Sequence, residues 1–584
     1  MRTTFLIFAT LLLSPYNPIL AAQVDADQGA RWTEADRKVF YKADQGSRIM
    51  PYEWLAALKQ KGGTPFLADD LTRYGYLKAQ NDQNNLPVGF TVSGPLGSQT
   101  VGMTCAACHT RQISVDGNLY RIDGGPALVD FQSFLEDLDT AVGEALATDE
   151  AFKRFAGAVI QETSPSANDI SALKQKVSDW YLRYHTIIEL SFAREGQIRW
   201  GLGRLDAIAM IFNRVTGLDI GPPPSFIIRE NIKPADAPAR YPFLWNAPRQ
   251  DKTQWAGFAT NGSDLLALSR NIGQVLGVFA VFHPKKEGSY INFLNRNSVN
   301  FDGLSAIEEL VKKIGPPKWP WPVDSTLAAR GEAIYERECS ECHKFKPGEV
   351  RFPFQQTWGT PVRNVGSDTR QYDILNRLAK SGALKGAYIP FATTPLKETD
   401  KALNILATSV IGSIAEHTLG AGGGSPSSVA QIPSPDGAAP SELSSNRLPP
   451  NLRDLEGAFR ASAAPVSQTG VPARPAELPP ERGSYEARVM QGIWAAAPYL
   501  HNGSVPTLGQ LLLPPSQRAK TFKVGPEYDI SEIGLSSSQP GIAVEYVTTD
   551  CSELNSGNSR CGHEYGTQLT PDEKKELLEY LKTL

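Results

Sequence analysis

The sequence contains few cysteines, methionines and histidines, and clustered positive charge is missing altogether. Its 584 residues include only 6 cysteines, 5 methionines and 7 histidines. No block of basic residues occurs, and the formal net charge is -4 at pH 7. Because a nucleic-acid surface needs clustered positive charge, we expect no nucleic-acid partner.

Beyond the N-terminus, the sequence also lacks an apolar run that could cross a bilayer, which takes about 20 residues. Residues 5–13 form a shorter apolar run behind Arg2, and the small residues Ala21 and Ala22 follow it. This pattern is typical of a secretory signal peptide, here residues 1–22. We therefore expect a soluble mature protein that is periplasmic or secreted, with no membrane span.

Four of the six cysteines form two C-x-x-C-H strings, CAACH at residues 105–109 and CSECH at residues 339–343. In such a string each thiolate forms a thioether to a haem vinyl group, and the adjacent histidine binds the iron. A zinc site would need a further ligand pair at short spacing, and a redox dithiol does not need the histidine. The sequence therefore predicts two covalently bound haem c groups. The attachment residues are Cys105, Cys108, Cys339 and Cys342, and the axial histidines are His109 and His343.

The remaining two cysteines, Cys551 and Cys561, flank a polar loop. An exported protein folds in an oxidising compartment, where two such thiols pair. We therefore expect a disulfide that ties this loop.

The second string lies between two predicted helices that are typical of a cytochrome c fold. Residues 326–339 carry Gly331 on one helix face, and residues 568–584 begin with a capping pattern and continue with a stripe of leucines. Tyr580 in the last helix would pack across Gly331. A cytochrome c-like haem domain is thus predicted over residues 325–584.

Residues 23–316 are predicted to form an enlarged N-terminal haem domain. Apolar residues recur at helical spacing in the segments 128–148, 170–190 and 265–282, and we find no run of alternating strands. The proline-rich stretch that follows predicts an extended linker over residues 317–324.

Two stretches rich in Gly, Ser, Ala and Pro, residues 420–446 and 462–483, predict long surface loops in the C-terminal domain. The fold class that follows is mainly α. We expect two cytochrome c-like haem domains with long loops, of which the N-terminal one is enlarged.

Further strings are spread over nearly all of the chain that follows the signal peptide. The most specific is APYLHNGSVPTL at residues 497–508, and the others are GMTCAACH at 102–109, GRLDA at 203–207, FLWNAP at 243–248 and GHEYG at 562–566. Together they resemble the di-haem cytochrome c peroxidase superfamily. Within it they are most similar to the branch of rubber oxygenases and bacterial fatty-acid diol-synthase dioxygenases.

The resemblance implies that the N-terminal haem is the active site and binds O₂ on its open face. It implies that the C-terminal haem is six-coordinate and relays or stores electrons. The implied reaction is oxidative attack on the C=C bond of an apolar substrate, either polyisoprene or an unsaturated fatty acid. Such a reaction needs a dry, apolar pocket, and a small electron donor would be a further partner.

Two iron ligands of the peroxidase pattern are missing. No histidine occurs between His109 and His185, and no methionine follows Met490. For the sixth ligand of the second haem we choose His563, because its glycine-flanked loop directly precedes the last helix. A C-terminal histidine has this part in the rubber oxygenases, which supports the choice by analogy. His501 is the rival ligand, and its other possible role is a hydrogen bond to a haem propionate or the domain interface.

Aromatic residues are the candidates for the distal face of the first haem. Phe243, Trp245, Trp255 and Phe258 fall in one short segment interrupted by Pro and Gly. Aromatic clusters are more often core than active site, but Trp245 belongs to a string that resembles the family. We therefore predict catalytic-site roles for Trp245, Trp255 and Phe258, and the sequence leaves open which ring faces the iron.

Three classes of function stay in view. The leading hypothesis is a dioxygenase that uses O₂ on an unsaturated lipid or polyisoprene, and the missing histidine and methionine favour it. The alternative is a di-haem hydrogen-peroxide reductase with an electron-donor partner. A plain electron-transfer cytochrome is the third class, and the large first domain argues against it.

Overall fold

The structure is a computed structural model that describes residues 23–421 and 481–584, except residues 81, 96, 162–164, 193–197, 289, 352 and 389–394. The predicted signal peptide lies outside the described residues, as does most of the two predicted loop stretches. Helix makes up 38% of the structure and strand 17%. Helix is thus the commoner element, but the strand content is larger than a mainly α fold implies.

The described part of the chain contains fourteen α-helices. They are α1 Glu34–Lys42, α2 Tyr52–Ala57, α3 Phe131–Leu146, α4 Asp149–Ile160, α5 Ala167–Ser191, α6 Ala207–Phe212, α7 Asp264–Gly277, α8 Phe301–Val311, α9 Ser325–Glu338, α10 Ser340–His343, α11 Arg370–Asp373, α12 Ala402–Ala421, α13 Leu508–Leu511 and α14 Pro571–Leu581. The three helical segments predicted in the N-terminal part correspond to α3, α5 and α7.

The strands are short and mostly pair in twos, and two sheets have three strands. They are β1 Gln23–Asp25, β2 Met50–Pro51, β3 Phe90–Ser93, β4 Thr100–Met103, β5 Thr110–Val115, β6 Asn118–Asp123, β7 Arg204–Leu205, β8 Ala239–Arg240, β9 Lys252–Thr253, β10 Ala259–Thr260, β11 Lys285–Glu287, β12 Tyr290–Asn292, β13 Pro347–Arg351, β14 Gln355–Trp358, β15 Val362–Asn364, β16 Leu378–Lys380, β17 Thr399–Lys401, β18 Ser484–Glu486, β19 Thr521–Lys523, β20 Tyr528–Asp529, β21 Gly534–Leu535 and β22 Glu545–Val547.

A β-hairpin directly follows the first haem motif, so the expectation of no alternating strands is wrong at this place. Strand β5 pairs antiparallel with β6 across Asp116 and Gly117. These two residues have φ values of 51° and 78°. Two successive positive φ values define the tight turn that Asp-Gly favours most strongly, so the sequence did contain a signal for this hairpin.

Helices α9 and α14 cross closely, as the sequence predicts. A Cβ atom on Gly331 would lie 2.0 Å from the main-chain oxygen of Glu576, so only glycine allows the approach. Helix α14 begins with a capping box in which Thr570 and Glu573 bond each other's main-chain N–H. This crossing places the second haem motif, since α10 follows α9 directly.

Replacement of Gly331 by Ala is expected to lower the free energy of unfolding by about 1–3 kcal/mol or more, because neither main chain can move away. The measurement is the midpoint of thermal unfolding, followed by circular dichroism. Gly157 in α4 is the matched control, since a Cβ atom there would meet nothing within 4 Å. Gly157→Ala should be neutral or stabilising by up to about 1 kcal/mol, and equal effects of the two variants would contradict the crossing.

The main hydrophobic core joins residues from both predicted domains. It contains apolar residues between Ile49 and Leu304 together with others between Ile374 and Ile414. Helix α12 packs against α7 in this core. Part of the predicted C-terminal domain therefore helps to build the core beneath the first haem motif.

The two tryptophans of the predicted linker pack against aromatic rings, while Lys318, Pro320, Pro322 and Asp324 are exposed. Trp319 packs edge-on against Trp494, with ring centroids 5.5 Å apart. Trp321 stacks on Tyr528, with centroids 6.0 Å apart.

No helix in the described ranges combines the length and apolar character that a membrane crossing needs.

Candidate functional site

The first haem motif lies on a tight turn between β4 and β5. Thr104 caps a short 3₁₀ helix, Cys105–Ala107, by accepting a hydrogen bond from the Ala106 N–H. The His109 N–H donates to the Cys105 carbonyl at 3.0 Å. The turn is supported by Gly89, where a Cβ atom would lie 2.0 Å from the Ala107 nitrogen. The motif is therefore held by strands and not by a preceding helix.

A cavity of about 1290 Å³, part of it open to solvent, lies at this motif. Cys105, Cys108 and His109 all line it. Much of the remaining wall is apolar, and it includes Met103, Leu205, Ile208, Phe243, Leu244, Val275, Val278, Ile307 and Val311. The haem motif and these apolar side chains thus face one partly open cavity.

His109 is suited to bind a metal as a neutral imidazole. Burial lowers the pKa of His109 to about 4, and the carbonyl of Pro242 beside it opposes this shift only in part. Its buried Nδ1 has no hydrogen-bond partner of full geometry among the described residues. A neutral ring keeps the lone pair that an iron ligand must donate.

The aromatic residues predicted for the distal face of the first haem do not all lie in the cavity at the first motif. Trp255 and Phe243 line the cavity. Trp245 is completely buried behind Phe243, with ring centroids 4.6 Å apart, and it is not among the lining residues. Phe258 lines a small neighbouring cavity of about 180 Å³. The structure thus brings Trp255, of the three predicted rings, together with the haem motif.

Two arginines in the cavity wall fit a group that carries carboxylates. Arg240 and Arg488 are 6% and 7% exposed. The Nη1 atom of Arg240 is buried with no hydrogen-bond partner among the described residues. Burial and the nearby Arg488 charge lower the pKa of Arg240 to about 9. Haem propionates would supply the missing acceptors, since guanidinium groups bind carboxylates strongly.

Glu308 on α8 is a buried acid in the same wall. Its Oε2 accepts hydrogen bonds from Arg270 at 2.6 Å and from Asn271 at 3.1 Å. Its Oε1 is buried and has no partner within the described part of the chain. Sequence reasoning missed Glu308, Arg240 and Arg488, because each is a single charged residue outside any motif.

At the second motif, the structure brings two histidine rings together. The ring centroids of His343 and His563 are 6.1 Å apart, at an interplanar angle of 50°. Burial lowers the pKa of His343, and it lowers that of His563 to about 3. Two metal–nitrogen bonds of about 2.0–2.1 Å would fit between rings at this separation. The two rings are thus close enough to hold one metal between them as neutral imidazoles.

His501, the rival ligand, lies elsewhere. Its ring stacks on Tyr485, with centroids 3.7 Å apart and an angle of 14° between the planes. Its main-chain oxygen accepts a hydrogen bond from the Arg240 N–H at 2.9 Å. Burial lowers the pKa of His501 to about 3. The His343 ring contacts the ring of His563, whereas the His501 ring contacts that of Tyr485.

The loop that carries His563 is tied at its base. Cys551 and Cys561 are joined by a disulfide, with their Cα atoms 5.4 Å apart. His563 has a φ of 51°, and its N–H donates to the Val365 carbonyl at 2.8 Å. These contacts hold the histidine in one position facing His343.

These features fit a c-type cytochrome. A family model described as RoxA-like, cytochrome c-like matches residues 484–523, a stretch that includes Arg488 and His501. A domain of this kind implies covalently bound haem c and indicates a haem oxidoreductase related to the rubber oxygenase-like cytochromes.

Two relatives from Sinorhizobium fredii (strain NBRC 101917 / NGR234) are similar to this chain. Uncharacterized protein y4iJ is 31% identical over 620 residues, covering 95% of this chain and 92% of y4iJ. Uncharacterized protein y4iM is 25% identical over 362 residues, covering 59% of this chain and 63% of y4iM. The chain therefore belongs to the same family as y4iJ.

Proposed function

We propose that this protein is an exported di-haem c-type oxidoreductase that uses O₂ to oxidise C=C bonds of an apolar substrate. The observation that carries the proposal is the cavity at the first motif, which joins His109 to a largely apolar wall. We assign the first haem to catalysis and the second to electron relay or storage. Export to the periplasm or beyond follows from the N-terminal pattern at residues 1–22.

A haem attached at Cys105 and Cys108 would supply the redox-active iron for O₂ chemistry. The protein's own residues would bind it through His109 and neutralise its propionates through Arg240. The apolar wall would hold the substrate and exclude water, which strengthens every electrostatic interaction inside the site. The largely apolar lining suits an unsaturated fatty acid or a segment of polyisoprene.

The test is oxygen consumption by the full-length holoprotein with oleate, linoleate or polyisoprene under isotope-labelled O₂. We expect oxygen uptake with at least one of these substrates and products that carry label from O₂. Turnover of hydrogen peroxide with a reduced cytochrome should be weak. No oxygen uptake with any of the three would contradict the proposal.

Trp255 offers a variant that tests the cavity itself. In Trp255→Leu we expect about tenfold slower turnover and a changed product pattern, because a misplaced substrate loses its reactive alignment. Trp180→Leu is the matched control. Trp180 and Trp255 each donate through Nε1 to a main-chain oxygen, at 2.8 Å and 2.9 Å, but Trp180 does not line the cavity. Equal losses in both variants would indicate general damage.

The alternative function, a hydrogen-peroxide reductase, is favoured by one observation. Peroxide cleavage benefits from a positioned acid or base, which contributes about a hundredfold or more. The unpartnered Oε1 of Glu308 in the cavity wall is a group of that kind. Fast peroxide reduction without oxygen uptake on the apolar substrates would favour this reading.

A further inference from the structure

Arg488 contacts both candidate haem sites at once. It follows strand β18, and its main-chain oxygen accepts a hydrogen bond from Nδ1 of His343 at 2.7 Å. The same residue lines the cavity that contains His109. A single residue therefore reaches from the proximal histidine of the second motif into the site of the first.

The side chain of Arg488 holds the segment that faces His109. Its Nη1 donates a hydrogen bond to the Phe243 carbonyl at 2.6 Å, and its guanidinium lies 4.5 Å from the centre of the Phe243 ring. Pro242, the preceding residue, lines the same cavity as His109. Hydrogen bonds thus run from His343 through Arg488 to Phe243, which lines the cavity together with His109.

A buried ion pair keeps the guanidinium in place. Nε of Arg488 lies 2.8 Å from Oε1 of Glu486, and the two side chains are 8% and 1% exposed. Breaking such a pair leaves an uncompensated buried charge, which is strongly unfavourable. The guanidinium therefore has a fixed position and a charge that solvent screens little.

We propose that Arg488 is a positioning residue shared by the two haem sites, holding His343 through its carbonyl and residues 242–243 through its guanidinium. This inference rests on the proposal that both motifs carry haem. Without the guanidinium, the buried Glu486 carboxylate is left unpaired, and negative charge close to a haem favours its oxidised, more positive form. Outer contacts of this kind orient metal ligands and tune the reduction potential of the metal.

The test is redox potentiometry of the full-length holoprotein in which Arg488→Met removes the charge and keeps a side chain of similar length. We expect both haem potentials to fall. At the first haem the expected change is about tenfold in the reduction equilibrium, or about 59 mV for one electron. Arg482→Met is the matched control, because Arg482 lies on the same segment but is 61% exposed and pairs with Asp373. It should leave both potentials unchanged.

A second variant, Arg488→Lys, separates position from charge. It should return both potentials close to wild type, since the positive charge is kept. The absorption spectrum of the first haem should still change, because an ammonium group lacks the planar fork that joins Glu486 and the Phe243 carbonyl. This variant carries the test alone if Arg488→Met fails to fold.

Three outcomes would overturn the shared role. They are a fall of only one potential or of neither in Arg488→Met, the same falls in Arg482→Met, and an unchanged first-haem spectrum in Arg488→Lys. A wild-type protein with a number of covalent haems other than two would instead remove the proposed function. The haem count is measured on the same samples, so the two failures are distinguishable.

Discussion

His563→Ala is expected to convert the second haem from low spin to high spin. The rings of His343 and His563 lie 6.1 Å apart, and His563 belongs to a loop tied by the disulfide at Cys561. Removal of a strong-field imidazole leaves a weak-field water or an empty position on the iron. The change is measured by the absorption and electron paramagnetic resonance spectra of the oxidised holoprotein.

His501→Ala is the control for this variant. His501 is buried and His563 is half-buried, and both have a strongly lowered pKa, but the His501 ring stacks on Tyr485. We therefore expect His501→Ala to stay mostly low spin at the second haem. A spin change in His501→Ala with none in His563→Ala would reverse the ligand assignment.

The double variant Cys105→Ala, Cys108→Ala is expected to hold one covalent haem in place of two and to lose all measurable oxygen uptake. Without the two thioethers, the cavity at the first motif has no covalent hold on its haem. Haem that stays on the polypeptide after extraction with acid acetone gives the count. Oxygen uptake is measured with the same substrates as for the wild type.

The reciprocal variant, Cys339→Ala, Cys342→Ala, should also hold one haem but keep the first site intact. Some oxygen uptake should therefore remain, reduced by the loss of the electron relay. If the two double variants had the same activity, the first motif would not be the catalytic one. If all haem could be extracted from the wild type, covalent attachment at both motifs would be excluded.

Local patterns made the haem motifs and the helices around the second one predictable. Gly331 and the capping box at Thr570 and Glu573 are sequence features whose physical meaning does not depend on distant residues. The same holds for α3, α5 and α7, which have helical periodicity. The hairpin after the first motif could also have been predicted, because Asp116 and Gly117 form its turn.

The cavity wall could not be predicted from the sequence, because it is built from residues far apart in the chain. Arg240, Glu308 and Arg488 come from a strand, a helix and a loop, and none lies in a pattern that differs from an ordinary surface charge. Their functional role depends on the fold, which buries all three side chains and brings them to the wall of one cavity. The shared core of the two predicted domains could not be predicted either, because it joins residues that are far apart in the chain.

Arg488 lies late in the sequence, and this position determines when the cavity wall can be completed during synthesis. Gln371 and Arg488 complete the wall of the cavity that holds Cys105 and Cys108, and residue 488 is synthesised 380 residues after residue 108 (488 minus 108). Until then the growing chain has a haem-binding motif with one side uncovered. A haem delivered before then would reach the thiols from that side, and the C-terminal residues would complete the wall afterwards.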